Sequence, residues 1–529
     1  MSPSPSSRRT RALVLGVAHA VLLASCTLEF DARLLDRLGP RCPATPTAPL
    51  GLERVALGTV PSSVGAALED LDGDSDLDLF ASDGPIVPAT TRSFETRVTD
   101  CGPPELVDVT SAWLGDRTAG SAEGTAAFVL VPLADEHFDL LAPSDNGGRA
   151  LRGQAGTPLW TTTETFFVPG GDGELRGGGV AVGDLDGDGR LDVVLAGTSA
   201  PDQVGRLLVT NGGTRLTELP AADVLTGTER VWIVDIDDDG VSEVLAAPPD
   251  GPARLLRLEG QSLVDDEGLT NPELLSLVAV LALGDLDDDG DLDVFTLRDG
   301  VTTPLHATVL ENVDGTLVAH TGADLGGVGD DGAWNFGNAG ATIAIADLDL
   351  DGRLDVLLNE SRVQFLRNAT TTSGGSAAFA FEHLDTRDLG AADDLGGTWR
   401  IAVGDLEGDG DVDVAPSSLT QAFLLRNTVG GVPWLRVRLR GPEGNPRGVG
   451  ARVCAFVPGM LPASGCRGEG LVGMRVIQSS SMQLEALEAS MATPGLSRVD
   501  LRVVWPSGLG TTDLRDARTS RGLVVEAPR

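Results

Sequence analysis

Six short acidic strings in this chain could bind metal ions. Aligned on the pattern D-x-D-x-D-G-x-x-D, they begin at Asp70, Asp184, Asp235, Asp285, Asp347 and Asp405. Carboxylates at positions 1, 3 and 5 of a tight loop converge on one point, position 9 adds a further carboxylate, and position 6 favours Gly because the chain turns sharply there. Ca²⁺ takes roughly six to eight oxygen ligands in a flexible shell. The strings therefore predict about six calcium sites.

The predicted ligands are the acids at the odd positions of each string, with the backbone carbonyl of position 7 where that side chain varies. They are Asp70, Asp72, Asp74, Asp76 and Asp78; Asp184, Asp186, Asp188, Arg190 and Asp192; Asp235, Asp237, Asp239, Val241 and Glu243; Asp285, Asp287, Asp289, Asp291 and Asp293; Asp347, Asp349, Asp351, Arg353 and Asp355; and Asp405, Glu407, Asp409, Asp411 and Asp413. Ser75 replaces Gly in the first string, and Glu243 and Glu407 replace Asp but can still ligate.

A solvated acidic turn and an EF-hand are both weaker interpretations of the strings. A solvated turn accounts for one string more easily than for six in register, because two carboxylates about 4 Å apart repel by about 4 kcal/mol at an effective dielectric constant near 20. An EF-hand needs flanking helices and an acid at position 12. The twelfth residues here are Ala81, Leu195, Ala246, Thr296, Leu358 and Pro416.

The spacing of the strings indicates a repeat. Successive strings begin 114, 51, 50, 62 and 58 residues apart, and the first interval is about twice the others. A degenerate copy fills that interval, with its motif start placed at Val131 and with Asp139 kept at position 9. Short, β-branched apolar runs flank each string, and three or four short strands in about 54 residues is typical of a propeller blade. The expected fold class is all-β: a seven-bladed β-propeller over residues 51–428, followed by a small β-rich domain over 429–529.

The repeats resemble the FG-GAP/VCBS repeats of integrin-α-type propellers, which bind Ca²⁺ in D-x-D-x-D-G-x-x-D loops between blade strands. The last part of the chain resembles the ASPIC/UnbV domain, which follows such repeats in proteins similar to cartilage acidic protein. Asn445-x-x-Gly448-x-Gly450-Ala451 and the Trp505-Pro-Ser-Gly string carry that similarity. The usual F-G-L-G string is absent and "ATPGLS" stands in its place, so no function tied to that string is carried over.

The N-terminus indicates export. Basic residues at 8–11 precede an apolar run at 12–24, which is too short to span a bilayer and typical of a signal peptide. Leu-Ala-Ser-Cys26 resembles the lipobox of bacterial lipoproteins, whose cysteine is acylated; an ordinary signal peptide is the alternative. We expect a signal peptide at 1–25, lipidation at Cys26, a tether at 26–50, and anchoring at the bacterial cell envelope, in the outer membrane.

Four further cysteines fit an exported protein. Cys454 and Cys466 lie in one segment and form the expected disulfide, with Cys42 paired to Cys101. Four cysteines allow three pairings, and free buried thiols are the alternative.

Composition narrows the function. The net charge is −39 and the chain has no Lys, so no basic surface for nucleic acid is expected. No H-E-x-x-H, G-x-S-x-G or phosphate-binding loop motif occurs, so no enzyme activity is expected. We favour an extracellular binding or adhesion module for protein or glycan. A surface polysaccharide lyase or hydrolase, and a structural subunit of a surface complex, are the alternatives.

Overall fold

The computed structural model is nearly all β-sheet, as the sequence predicts, and describes residues 48–528 with internal gaps. The gaps are 58–64, 83–91, 98–103, 115–127, 134, 145–146, 157–158, 166–178, 197–205, 211–215, 220–221, 226, 229, 249–252, 267–277, 301–302, 322–341, 360–362, 374–375, 385–388, 390–397, 419–422 and 482. The predicted signal peptide, Cys26, Cys42, Cys101 and most of the tether lie outside the described residues.

The repeat region begins with strand β1 (Leu52–Ala56) and continues, within the described residues, as seven antiparallel sheets. Six of them contain four strands that follow one another along the chain, and the seventh contains three such strands and β1. Sheet 1 contains β2 (Gly65–Glu69), β3 (Asp78–Ser82), β4 (Arg92–Arg97) and β5 (Glu105–Asp108). Sheet 2 contains β6 (Val129–Val131), β7 (Asp139–Ser144), β8 (Gly147–Gly153) and β9 (Trp160–Thr165). Sheet 3 contains β10 (Val180–Gly183), β11 (Asp192–Leu195), β12 (Arg206–Thr210) and β13 (Leu216–Leu219). Sheet 4 contains β14 (Arg230–Val234), β15 (Glu243–Ala247), β16 (Arg254–Glu259) and β17 (Ser262–Asp265).

The remaining repeat sheets follow the same order. Sheet 5 contains β18 (Val278–Gly284), β19 (Asp293–Gly300), β20 (Thr303–Val313) and β21 (Thr316–Thr321). Sheet 6 contains β22 (Thr342–Ala346), β23 (Asp355–Asn359), β24 (Val363–Asn368) and, after the hairpin β25 (Thr371–Ser373) and β26 (Ser376–Ala378), β27 (Phe381–Leu384). Sheet 7 contains β28 (Thr398–Gly404), β29 (Asp413–Ser418), β30 (Phe423–Asn427) and, as its outer strand, β1. A short helix, α1 (Thr110–Leu114), and a 3₁₀ turn at Ala222–Leu225 interrupt the strands.

Apolar clusters join neighbouring sheets in succession. Sheets 3 and 4 share one cluster, and so do sheets 4 and 5, 5 and 6, 6 and 7, and 7 and 1. Sheets 1, 2 and 3 share a larger cluster with the C-terminal region. The first strands are largely apolar and are buried along their whole length, so both faces of each sheet can pack against a neighbour. The all-β prediction is confirmed, while seven blades in a closed ring stays a prediction.

Three buried asparagines reinforce this succession. Asn312, Asn368 and Asn427 end or nearly end the third strands of sheets 5, 6 and 7. The amide nitrogen of each donates to a backbone carbonyl in the acidic string of the preceding sheet, 2.8 Å away in all three cases. Sheets 5, 6 and 7 are therefore each hydrogen-bonded to the turn of the sheet before them.

The C-terminal region forms two further sheets. One contains β31 (Trp434–Arg440), β36 (Ala489–Ala492) and β39 (Arg521–Glu526), and the other contains β32 (Arg452–Phe456), β33 (Leu471–Val476), β37 (Arg498–Trp505) and β38 (Gly510–Arg518). The predicted pair Cys454 and Cys466 lies at disulfide distance, with Cα atoms 5.8 Å apart.

Residues 477–488, here the insertion segment, leave the C-terminal sheets and enter the repeat region. Its strands β34 (Ser479–Ser480) and β35 (Leu484–Glu485) pair with β10 of sheet 3 and β28 of sheet 7. Ser480 donates to Val231 O of sheet 4 at 2.9 Å. The Gln483 side chain bonds both backbone groups of Leu283 in sheet 5, each at 3.0 Å.

The insertion segment also reaches sheet 1, where Leu487 N donates to Glu69 Oε1 at 3.1 Å. It thus bonds the first strands of five sheets that are far apart in sequence, which requires those strands to surround it. Among the described residues, no helix is both long enough and apolar enough to cross a membrane.

Candidate metal centres

Each acidic string forms the turn between the first and second strands of its sheet. The backbone N–H of position 6 donates to the carboxylate of position 1 at 2.8–3.2 Å in all six strings. The N–H of position 7 donates to the carboxylate of position 5 at 2.8–3.4 Å. These bonds hold the position 1 and position 5 carboxylates inside the turn.

The position 9 acid begins the second strand and links three pieces of backbone. Asp192, for example, accepts from Leu185 N at 3.0 Å and from Thr210 N of the third strand at 2.9 Å. The same pair of bonds occurs at Asp78, Asp293, Asp355 and Asp413. Position 9 therefore fixes the turn to the sheet, whether or not it also contacts a metal ion.

The backbone of the turn has two left-handed residues. Position 6 has φ between 83° and 103° at the five glycines and 84° at Ser75. Position 4 is left-handed as well, and three strings place a non-glycine residue there: Asp238, Asp288 and Leu350. The second left-handed position was missed in the sequence, because Gly stands there in only three strings.

Five strings bring three carboxylates together with ligand oxygens within 4.8 Å of one another. The groups are Asp70, Asp72 and Asp78; Asp184, Asp186 and Asp192; Asp235, Asp237 and Asp239; Asp285, Asp287 and Asp289; and Asp347, Asp349 and Asp351. These clusters could hold a metal ion. The other predicted ligands, and calcium as the metal, stay predictions.

Buried carboxylate oxygens without a hydrogen-bond donor supply an independent reason for a cation. Such oxygens occur on Asp287, Asp291, Asp347 and Asp411, which are at most 4% exposed. A buried ionised carboxylate without a partner is strongly destabilising. Hard oxygen ligands of this kind suit Ca²⁺ or Mg²⁺, and the large number of carboxylates per turn favours the larger ion. The residues of the strings therefore fit a calcium ion.

Burial raises the pKa of several acids of the strings when no metal is bound. At Asp347, burial opposed by Arg475 and aided by neighbouring Asp351 raises the pKa to about 7. Burial raises the pKa of Asp78 to about 8 and that of Asp192 to about 7. The pKa of Glu243 is raised in the same way, to about 9. A divalent cation would restore the ionised state that these side chains have in water.

The sixth string differs from the others. No group of three closely spaced ligand oxygens occurs over residues 405–413, all of which the structure describes. Arg426 forms an ion pair with Glu407 at position 3, and Arg436 lies 3.9 Å from Asp405 at position 1. Two acids of this string therefore already have a guanidinium group beside them.

The degenerate copy keeps the frame of the string with fewer acids. Asp139 accepts from Leu133 N at 3.4 Å and from Gly153 N at 2.8 Å, as a position 9 acid does elsewhere. The donor Leu133 is six residues before Asp139 instead of seven. The turn is therefore one residue shorter than a repeat start at Val131 implies, and that start is wrong by one residue.

The C-terminal region covers the acidic strings. Arg438 pairs with Asp70, and Arg452 lies 3.3 Å from Asp235. Arg467 lies 2.7 Å from Asp291, and Ser507 donates to Asp184. The sequence did not indicate this interface, because arginines that alternate along a strand such as 434–440 also suit a solvent-exposed face.

A cleft of about 750 Å³ lies between the first string, the degenerate copy and the C-terminal region. Its wall includes Asp72, His137, Arg438, Arg440 and Arg447. The Arg447 guanidinium lies 5.2 Å from the centre of the Phe138 ring and 4.0 Å from Asp70. His137 contacts Asp135 at 2.7 Å. The cleft therefore combines cationic groups with hydrogen-bond acceptors.

Comparisons with known proteins identify no family. No protein-family profile and no curated protein matches the chain. A solved Agrocybe aegerita lectin that recognises non-reducing terminal N-acetylglucosamine is 13% identical and covers 72% of this chain and 94% of its own, with a TM-score of 0.38. A Saccharomyces cerevisiae structure of Dbp5 bound to Nup159 and Gle1 is 11% identical over 73% of this chain and 97% of its own, with a TM-score of 0.35. The Photorhabdus luminescens Tc holotoxin pore is 13% identical over 81% of this chain and 21% of its own, with a TM-score of 0.33.

Proposed function

We propose that this chain is a calcium-stiffened seven-bladed β-propeller that acts as an extracellular binding module. The observation that carries the proposal is the recurrence of closely spaced carboxylates, with donorless buried oxygens, at the same turn of successive sheets. The resemblance to FG-GAP/VCBS repeats and to the ASPIC/UnbV domain belongs to the same proposal.

Three features support the closed ring. Apolar clusters join each sheet to the next, including sheet 7 to sheet 1. Strand β1, from the beginning of the repeat region, completes sheet 7 from its other end. The insertion segment bonds first strands from sheets 1, 3, 4, 5 and 7. A ring of blades with its first strands around a central axis accounts for all three.

Calcium would be held by positions 1, 3 and 5 of the strings, with the carbonyl of position 7 and the acid of position 9 completing the shell. Bound calcium neutralises carboxylates that otherwise repel one another. It would thereby rigidify the turn that joins the two innermost strands of a blade.

The cleft is the proposed ligand site, and its chemistry favours a glycan that bears carboxylates. Arg440 is half-exposed, and Arg438 and Arg447 stand beside it in the cleft wall, so a uronate carboxylate could be bound there by charge-assisted hydrogen bonds. Asp72 could accept hydrogen bonds from sugar hydroxyls. Export and lipid anchoring through Cys26 would place this site outside the cell.

Binding of the purified protein to an array of uronate-containing and neutral oligosaccharides in calcium tests the glycan site. We expect selective binding of uronates and a loss of about tenfold in Arg440→Ala, which corresponds to about 1.4 kcal/mol. Arg498→Ala is the matched control, because Arg498 is similarly exposed and pairs with Asp516 outside the cleft. Absence of glycan binding, or equal loss in both variants, would contradict the cleft as the site, and cleavage of a glycan would favour the enzyme alternative.

A further inference from the structure

One residue of the third strand stands opposite the position 9 acid in each repeat sheet. In most sheets it immediately precedes the N–H group that donates to that acid. In sheet 4 the pairing of Val244 with Leu256 puts Arg257 at the same place. We name this place the third-strand position. Its occupants in sheets 1 to 7 are Glu95, Arg152, Val209, Arg257, Glu311, Arg367 and Arg426.

Arginine at the third-strand position contacts the would-be ligands in two strings. In sheet 6, Arg367 Nε lies 2.6 Å from Asp349 Oδ2 at position 3, and its Nη2 lies 3.5 Å from Asp351 Oδ2 at position 5. In sheet 7, Arg426 pairs with Glu407 at position 3. The guanidinium groups thus neutralise acids that calcium would otherwise neutralise.

In the degenerate copy, an arginine at the third-strand position again contacts an acid of the string. Arg152 Nη1 donates to Asp139 Oδ2 at 3.1 Å, and both side chains are largely buried. The rest of that copy has two acids: Asp135, which is exposed and pairs with His137, and Glu136, which is exposed and lies 3.9 Å from Arg440. Asp139, the buried carboxylate of this turn, is therefore neutralised by the guanidinium group of Arg152.

Glutamate at the third-strand position adds negative charge instead. Glu311 contacts His320 at 2.7 Å and Glu95 pairs with Arg97 at 2.8 Å, so neither side chain brings a cation to its string. Arginines from the C-terminal region reach strings of both kinds, such as Arg438 on Asp70 and Arg436 on Asp405, so they do not separate the two groups.

We propose that the third-strand position determines how strongly each acidic string binds calcium, with Arg367 and Arg426 acting as built-in counterions that weaken their two sites. This inference rests on the proposed calcium binding of the strings. The four strings in sheets 1, 3, 4 and 5 form the tighter class, the strings in sheets 6 and 7 form the weaker class, and the degenerate copy in sheet 2 binds none.

Calcium isotherms of the full chain test the inference, measured by equilibrium dialysis at chelator-buffered free calcium with elemental analysis of bound metal. Removing the guanidinium in Arg367→Leu or Arg426→Leu should tighten one site. Because both side chains are partly exposed, the attraction they now provide is screened, and we expect about a tenfold gain in each variant. Adding Asp347→Asn to Arg367→Leu should remove that gain, which assigns it to the string of sheet 6.

Arg257→Leu is the matched control. It makes the same change of charge and size at the same register, but Arg257 pairs with Glu259 at 2.6 Å and with Asp266 at 3.7 Å instead of with its string. We expect its isotherm to match that of the unaltered protein. Isotherms of Arg367→Leu and Arg426→Leu that also match it, or an equal shift in Arg257→Leu, would overturn the inference while calcium binding itself stands. A chain that binds no calcium at all would overturn the proposed function as well. If a leucine variant fails to fold, the glutamine variant at the same position, Arg367→Gln or Arg426→Gln, replaces it with the same expectation.

Discussion

Ser75 is the one non-glycine residue at position 6 of the six acidic strings, where the backbone is left-handed. It has φ of 84° at a position that is Gly in the other five strings, and a left-handed residue with a Cβ costs about 1–2 kcal/mol. We expect Ser75→Gly to raise the free energy of unfolding by about 1 kcal/mol. Gly189→Ser should lower it by a similar amount, because no atom lies within 4 Å of a Cβ at Gly189 and only backbone strain would act. Urea unfolding measures both, and shifts of the same sign would contradict the argument.

The clustered carboxylates predict how the metal-free protein responds to pH. Burial raises the pKa of Asp192 to about 7, that of Asp78 to about 8 and that of Glu243 to about 9. The folded chain therefore binds more protons than the unfolded chain above about pH 4. The stability that these groups contribute is fully present below their unfolded pKa and is lost as the pH rises through the folded values.

We therefore expect the free energy of unfolding in EDTA to fall between pH 5 and pH 8.5. Calcium should reverse this fall, because metal binding stabilises the ionised carboxylates that the higher pH produces. Urea unfolding at fixed pH, with and without calcium, is the measurement. Metal-free stability that increases over this range would show that the acids are not buried as described.

Much of the site could be predicted at the residue scale, and the limits have physical causes. The spacing of acids implies a turn whose carboxylates converge, and five strings form such clusters. The effect of Arg426 on the sixth string could not be predicted. Arg426 lies on a different strand from the string, and the register of that strand is unknown until the strands pair. The same holds for Arg152 in the degenerate copy.

At the scale of elements, the short strands were predictable because apolar runs bounded by Gly, Pro or Asp have few other ways to be buried. The runs at 231–234 and 342–346, for example, lie in β14 and β22. The hydrogen bonds between sheets were not predictable, since Asn at the end of a strand is equally common in turns.

Asn368 tests how far one such bond stabilises neighbouring sheets. Its amide donates to Leu286 O at 2.8 Å and Leu354 O at 3.0 Å, and its Oδ1 accepts from Thr370 N at 2.9 Å. Asn368→Ala leaves buried backbone groups without partners, so we expect a loss of about 2–3 kcal/mol. Gln364→Ala on the same strand is the control and should change stability by less than about 0.5 kcal/mol. Equal losses of stability in thermal or urea unfolding would show that the hydrogen bond between the sheets adds no stability beyond that of the control side chain.

At the scale of the whole molecule, the C-terminal region is part of the repeat structure through its insertion segment. The Gln483 side chain bonds Leu283 across 200 residues of sequence, and Leu487 bonds Glu69 across 418. No pattern in the sequence indicates pairs so distant, and "IQSSSMQLEALE" carries no strong strand signal of its own.

This arrangement predicts one cooperative unfolding transition for both regions. Gln483→Ala should lower the free energy of unfolding by about 2 kcal/mol, because two buried backbone groups of Leu283 lose their partners. The transition should remain single in calorimetry. The exposed Gln261 provides the control variant Gln261→Ala, for which no change is expected. Two separate transitions in the unaltered protein would contradict joint folding.

The central claim is that calcium holds the acidic turns of the folded chain together. The most direct measurement is the thermal midpoint of the purified protein in EDTA and then across a calcium titration. A ligand that binds only the folded state adds RT ln(1 + [L]/Kd) of stability at each site, so several sites should raise the midpoint steeply with calcium. A large calcium-dependent rise is the predicted result. A midpoint that stays the same from EDTA to millimolar calcium would contradict the claim.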